Sequence, residues 1–204
     1  MDIKEMLYFI EDKNFDINEN WYFHATAENI EIIKQIFIEG IKSAYLLEEE
    51  NKNIRKQNPS NGKYYISLYK YTEFSDRINS WLDTYPKFVI EGITPLYANR
   101  KEYNIRRIFI NTRIPLRTSE WDGEYQQYLM IEPSKIVALG YDLSYMLQEI
   151  SQPDKIIREK FQKEKLKLLR DIILYMGEID NKLPIYDFYT KREINKDKVL
   201  SLNL

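Results

Sequence analysis

The sequence predicts an α+β fold: a mainly antiparallel sheet from about residue 21 to residue 141, closed by a C-terminal helical segment. Three observations lead there. Short runs rich in β-formers recur between turn residues, "NWYFHA", "KYYISLYKY", "PKFVIEGI", "EYQQYLMI" and "KIVALGY". After Thr26 the apolar period lengthens to that of a helix, and from Ser151 the pattern becomes helical and highly charged. No internal repeat and no Gly/Ser-rich linker divides the chain, so residues 1–204 read as a single domain, with a core over 1–150 and a helical extension over 151–204.

Taken in order, residues 1–15 read as a short amphipathic helix with Met6, Phe9 and Ile10 on its apolar side. "NWYFHA" follows as a strand. Ile30, Ile33, Phe37 and Ile41 then recur at helical spacing, with Thr26 as N-cap, Glu28 in the first turn and Gly40 at the end. Residues 46–62, "LLEEENKNIRKQNPSNG", read as a solvated helix end and a loop marked by Asn-Pro and Asn-Gly. Beyond the strand in "KYYISLYKY", "DRINSWLDTY" suits a helix, "PKFVIEGI" a short apolar strand, and "IRRIFINTRIPL" alternates in part. "EYQQYLMI" and "KIVALGY" are strands separated by Glu132-Pro133-Ser134. In the helical segment from Ser151 to Ile179, Ile156, Ile157, Leu166, Leu169, Ile173 and Met176 mark the buried side.

Composition narrows the chemistry. Apolar residues are 44% of the chain and charged residues 30%, which suits a globular protein with a proper core. The formal charge of -2 creates no overall field for nucleic acid or anionic membrane. There is no cysteine and one histidine, His24, which removes thiol nucleophiles and leaves too few ligands for a zinc site; a carboxylate magnesium site has no signature either. The six glycines form neither a G-x-G-x-x-G nor a P-loop, and no G-x-S-x-G elbow occurs. The opening "MDIKEMLYFIEDKNF" carries acidic residues and does not read as a secretory signal, and no window matches a membrane span, so a cytoplasmic setting is expected. The 17 tyrosines supply apolar area with a polar tip, suited to a sheet with half-wet edges. The run "KIIREKFQKEKLKLLRD" has surplus basic residues and reads first as the solvated face of an amphipathic helix.

Three separated segments remain. "FHAT" with "ENIEIIKQIFIEGI" resembles the opening of the diphtheria-toxin-type and poly(ADP-ribose)-polymerase-like ADP-ribosyltransferases, where a strand ending in His-x-[Thr/Ser] leads into a helix closed by a Gly-hydrophobic pair. "GKYYISLYKY" is similar to their second element, a glycine followed by a strand with ring-stacking aromatics. "EWDGEYQQYLMIEPSKIVAL" resembles the third, a Glu opening a strand of the form Glu-Tyr-x-x-Tyr before a Pro-x-x-Ile strand. The ordered trio, the His-Tyr-Glu set, covers residues 21–141.

The resemblance implies an ADP-ribosyltransferase-like split sheet and an enzyme with NAD as substrate. Such an enzyme cleaves the nicotinamide–ribose bond and transfers ADP-ribose to a macromolecular acceptor, here expected to be a protein, with no metal. That chemistry passes through an oxocarbenium-like transition state, which calls for an ionised carboxylate and flat apolar surfaces rather than a metal or a thiol. Residue by residue, His24 would bond a ribose hydroxyl, Thr26 would steady the turn behind it, and Tyr64 would stack on the nicotinamide. Tyr71 or Tyr69 would form the other face of the clamp, and Glu124 would stabilise the cationic transition state. "YISL" also resembles the Ser-centred strand of the arginine-initiated branch, so Ser67 competes with Tyr64 as the inward residue. Asp122, two residues before Glu124, is either the first half of an Asp-Gly turn or a group that activates the acceptor. A phage-encoded modifier, an intracellular toxin or an injected effector would suit this reading. The alternatives are a catalytically inactive binding module of the same fold, or an RNA 2′-phosphotransferase-like enzyme, for which no matching arginine set is found.

Overall fold

In a computed structural model of the chain, residues 8–50, 64–70, 86–97, 124–143 and 155–202 are described. Among them the architecture is mixed α+β, a large and mostly antiparallel sheet with few helices. The elements run β1 (Ile10–Asn14), β2 (Tyr22–Ala25), α1 (Ile30–Glu39), β3 (Ile41–Lys42), α2 (Ala44–Glu49), β4 (Tyr65–Lys70), β5 (Lys87–Ile90) and β6 (Leu96–Tyr97). Then follow β7 (Glu124–Tyr128), β8 (Met130–Ile131), a 3₁₀ turn (Pro133–Lys135), β9 (Ile136–Tyr141), α3 (Lys155–Glu178), β10 (Ile185–Asp187), β11 (Arg192–Ile194) and α4 (Lys196–Leu200).

Among the described residues nine strands form one sheet in the order β1-β11-β10-β9-β5-β2-β4-β7-β6, and β3 pairs with β8 apart from it. Among the described strands only β9 and β10 run parallel, joined by the connection that contains α3; a parallel pair needs such a crossover. Strand alternation gives the sheet two faces. On one, Ile66, Leu68, Phe88, Ile90 and Leu139 join Ile33, Ile36 and Phe37 of α1 and Leu166, Leu169 and Ile173 of α3 in the main core. On the other, Phe23, Val89, Ala138, Tyr186 and Phe188 form a smaller core, against which Phe15, Trp21 and Tyr69 pack.

Several local expectations change. Residues 10–14 form strand β1 rather than part of a helix, because pairing with β11 overrides the local pattern. The N-cap of α1 is Asn29, whose side chain accepts from the Glu31 and Ile32 amides; Thr26 is still tied to the sheet, its N–H donating to the Pro86 carbonyl at 2.9 Å. Glu31, not Glu28, is the acid of the first turn. "EYQQYLMI" is broken at Leu129 (φ 57°), where the chain leaves the large sheet for β8. The tail expected to be helical contributes α3, but also β10 and β11 to the main sheet. Leu166, Leu169, Ile173 and Met176 are buried as the helical period required. Met6, the loop over 51–62, the helix in "DRINSWLDTY", the alternation in "IRRIFINTRIPL" and the side chains of Ile156 and Ile157 lie outside the described residues. Among those described, no helix is long and apolar enough to cross a membrane.

Gly40 ends α1 at φ 81°, and a Cβ there would collide with the Ile131 carbonyl oxygen. Gly177, near the end of α3, has open space around it. Gly40→Ala is therefore expected to lower stability by about 2 kcal/mol or more, while Gly177→Ala raises it by roughly 0.5–1 kcal/mol. Urea midpoints at unchanged slope measure both.

Candidate functional site at the parting of two strands

The three segments that stand apart in sequence become three neighbouring strands, β2, β4 and β7. Their register aligns Phe23 with Tyr69, and Tyr69 with Glu124. The ladder between β2 and β4 is short, Tyr22 with Lys70 and Phe23 with Tyr69. Beyond it each strand stays paired on its outer side only: β2 continues to Ala25 against Lys87 of β5, and β4 to Tyr65 against Tyr128 of β7. The sheet parts there.

His24 is the first residue of β2 past that point. Its Nδ1 lies 2.9 Å from the Ser67 carbonyl oxygen on β4. A carbonyl only accepts, so Nδ1 carries the proton and donates it, which leaves the Nε2 lone pair to accept from another group. Burial pushes the imidazole below its ordinary value of 6.5, and the bond to Ser67 opposes this without reversing it. The ring is neutral at physiological pH.

The other candidates divide clearly. Ser67 meets His24 through its backbone, and its register partner is Gln126, a buried amide side chain. Tyr64 sits before β4, away from the parting; its ring packs on Tyr45 at 4.6 Å, and its carbonyl accepts the Leu129 amide. The structure therefore brings the backbone carbonyl of Ser67 to His24 and packs the Tyr64 ring elsewhere. Tyr69 lies against Phe23, ring centroids 5.5 Å apart and nearly parallel. Thr26 is buried just behind His24. Glu124 opens β7 as expected, but its side chain, Tyr71 and Asp122 lie outside the described residues. By strand alternation Tyr69, the register partner of Glu124, shares a face with Phe23, whereas His24 shares the face of its partner Phe88.

Sequence reading passed over the charged groups beside this site. Lys87, the register partner of Ala25, is fully buried and bonds Asp142 at 2.5 Å. The Lys87 and Lys191 ammonium groups both lie over the Phe188 ring, at 4.5 and 4.2 Å. Asp187 accepts from the Leu143 and Thr190 amides and the Thr190 hydroxyl. Burial pushes Lys191 down to about 8 against the pull of Asp142 and Asp187. The signal was available: a lysine inside the apolar run "PKFVIEGI" requires a buried partner. In the basic run on α3, Lys160, Lys163 and Lys167 are exposed, with Lys160 near Glu164 and Lys167 near Asp171, whereas Lys165 is buried. Among the described residues, no three His, Asp or Glu side chains gather to hold a metal.

A histidine whose folded value is lowered binds fewer protons than the unfolded chain just below pH 6.5. Its contribution to stability is full above that value and is lost as pH falls toward the folded one. Between about pH 7.5 and about pH 5, the wild type should lose more stability than a non-titrating His24→Gln variant, as read by urea midpoints. Nitrogen-detected NMR of the single imidazole should show the Nδ1–H tautomer. Set beside family models, curated proteins and solved structures, the chain has no match.

Proposed function

We propose that the chain is an ADP-ribosyltransferase that uses NAD as substrate and a macromolecule, a protein by preference, as acceptor. One observation carries the reading: the three segments that resemble that family form adjacent strands, with His24 bonded to Ser67 beside the end of the β2–β4 ladder, where Tyr69 is in register with Glu124.

The chemistry follows from the groups. The bond between ribose C1′ and the nicotinamide nitrogen breaks, and its electron pair leaves with nicotinamide. Positive charge develops on the ribose, and the Glu124 carboxylate stabilises it. The neutral His24 imidazole accepts a hydrogen bond from a ribose hydroxyl at Nε2, and the Tyr69 ring covers the nicotinamide. A lone pair of the acceptor then forms the new bond to C1′, and the acceptor proton is released, with Asp122 as the nearby base in sequence.

The register puts Tyr69, the partner of Glu124, on the face opposite His24, which favours a second reading, a binding module of the same fold that does not turn over NAD. Nicotinamide release from NAD and labelling of lysate with tagged NAD separate the two. Glu124→Gln should lower release about 10²–10³-fold while the fold persists. Equal rates in the variant and the wild type remove Glu124 from the mechanism, and no release or labelling by the wild type leaves the binding module.

A further inference from the structure

Glu28 stands four residues after His24 and immediately before the Asn29 cap of α1. Its carboxylate pairs with the ammonium of Lys165, a residue of α3 that is only 4% exposed. The Lys165 carbonyl accepts the Tyr141 hydroxyl at 2.6 Å, and Tyr141 is buried at the end of β9. One residue of α3 is thus bonded through its backbone to the sheet and through its side chain to the junction that leads from His24 into α1. Around it Leu166, Leu169, Ile172 and Met176 lock the helix onto the core.

A lysine is seldom buried to this degree, and burial pushes its ammonium down to about 8. Such a cation keeps its partner in place, because losing the carboxylate would leave a buried charge uncompensated. The junction has further ties: Thr26 N–H donates to the Pro86 carbonyl, and Asn29 N–H to the Ala27 carbonyl at 2.8 Å. His24 has left the β2–β4 ladder. Its orientation therefore depends on the Ser67 bond and on where the junction holds the end of β2.

We infer that Lys165 is a positioning residue: acting through Glu28, it holds the junction over residues 25–29 so that the His24 imidazole keeps its bond to Ser67 and presents Nε2 to the substrate. The substrate in that statement rests on the ADP-ribosyltransferase reading; the geometry of the imidazole does not. A small displacement of a group that orients a substrate is enough to lower a rate strongly.

The test uses the full chain with Lys165→Met, Lys165→Arg, Glu28→Gln and the Lys165→Met/Glu28→Gln double variant. The first readout is the imidazole nitrogen spectrum, which is unambiguous because the chain has one histidine. Lys165→Met and Glu28→Gln should each move the His24 signals from the Nδ1–H tautomer toward a mixture, and Lys165→Arg should restore them. The second readout is nicotinamide release, where each of those two changes should lower kcat about tenfold with little change in KM, and the double variant should be no worse than the poorer single. If Lys165→Met fails to fold, Glu28→Gln, from the more exposed partner, carries the same readout. Unchanged His24 signals in folded variants overturn the inference. If the wild type releases no nicotinamide, the functional reading fails while the imidazole spectrum still decides this one.

Discussion

Strand β5 is buried along its whole length, and the sheet is organised around that constraint. A strand covered on both sides must offer apolar groups in both directions. Phe88 and Ile90 meet the core under α1 and α3, and Val89 meets the smaller core around Phe23 and Phe188. Lys87 is the exception, and it is tolerated because Asp142 answers its charge and Phe188 its aliphatic and cationic surface. With β2 on one flank and β9 on the other, β5 joins the half of the sheet that holds β1, β10 and β11 to the half that carries the candidate site.

On the site side the ladder is interrupted rather than continued. β2 remains paired to β5 and β4 to β7, so neither strand loses its support when the two diverge after Phe23 and Tyr69. The divergence frees backbone groups, and His24 takes up one of them, the Ser67 carbonyl. The same bond selects the tautomer of the ring and, with burial, keeps it neutral. One interaction therefore closes a gap in the sheet and sets the chemical character of the chain's single imidazole.

The C-terminal part does more than cover the core. α3 packs on α1, β10 and β11 extend the sheet, and Lys165 and Tyr141 tie the helix to both the sheet and the His24 junction. The aromatic cluster of Phe15, Trp21, Tyr186 and Phe188 closes the opposite face, with Phe15 stacked on Tyr186 at 4.2 Å. In both places segments from the two ends of the chain support strands from its middle.

The sequence by itself determined the local elements whose signal is local. The α+β character, the strands at 22–25, 65–70, 87–90 and 136–141, the helix ended by Gly40 and the buried side of α3 all follow from periodicity and turn chemistry. His24, Ser67, Tyr69 and Glu124 were also legible as candidates, through the order of their segments. Tertiary structure decided what depends on partners distant in the chain. β1 is a strand because β11 is there to pair with it, and the end of "EYQQYLMI" turns aside because β3 offers β8 an edge. That the Ser67 carbonyl stands beside His24 was a matter of register, which alternation within one strand cannot supply. The buried lysines were readable only as a requirement for a carboxylate, since Asp142 and Glu28 reach Lys87 and Lys165 through the fold and not through proximity in sequence.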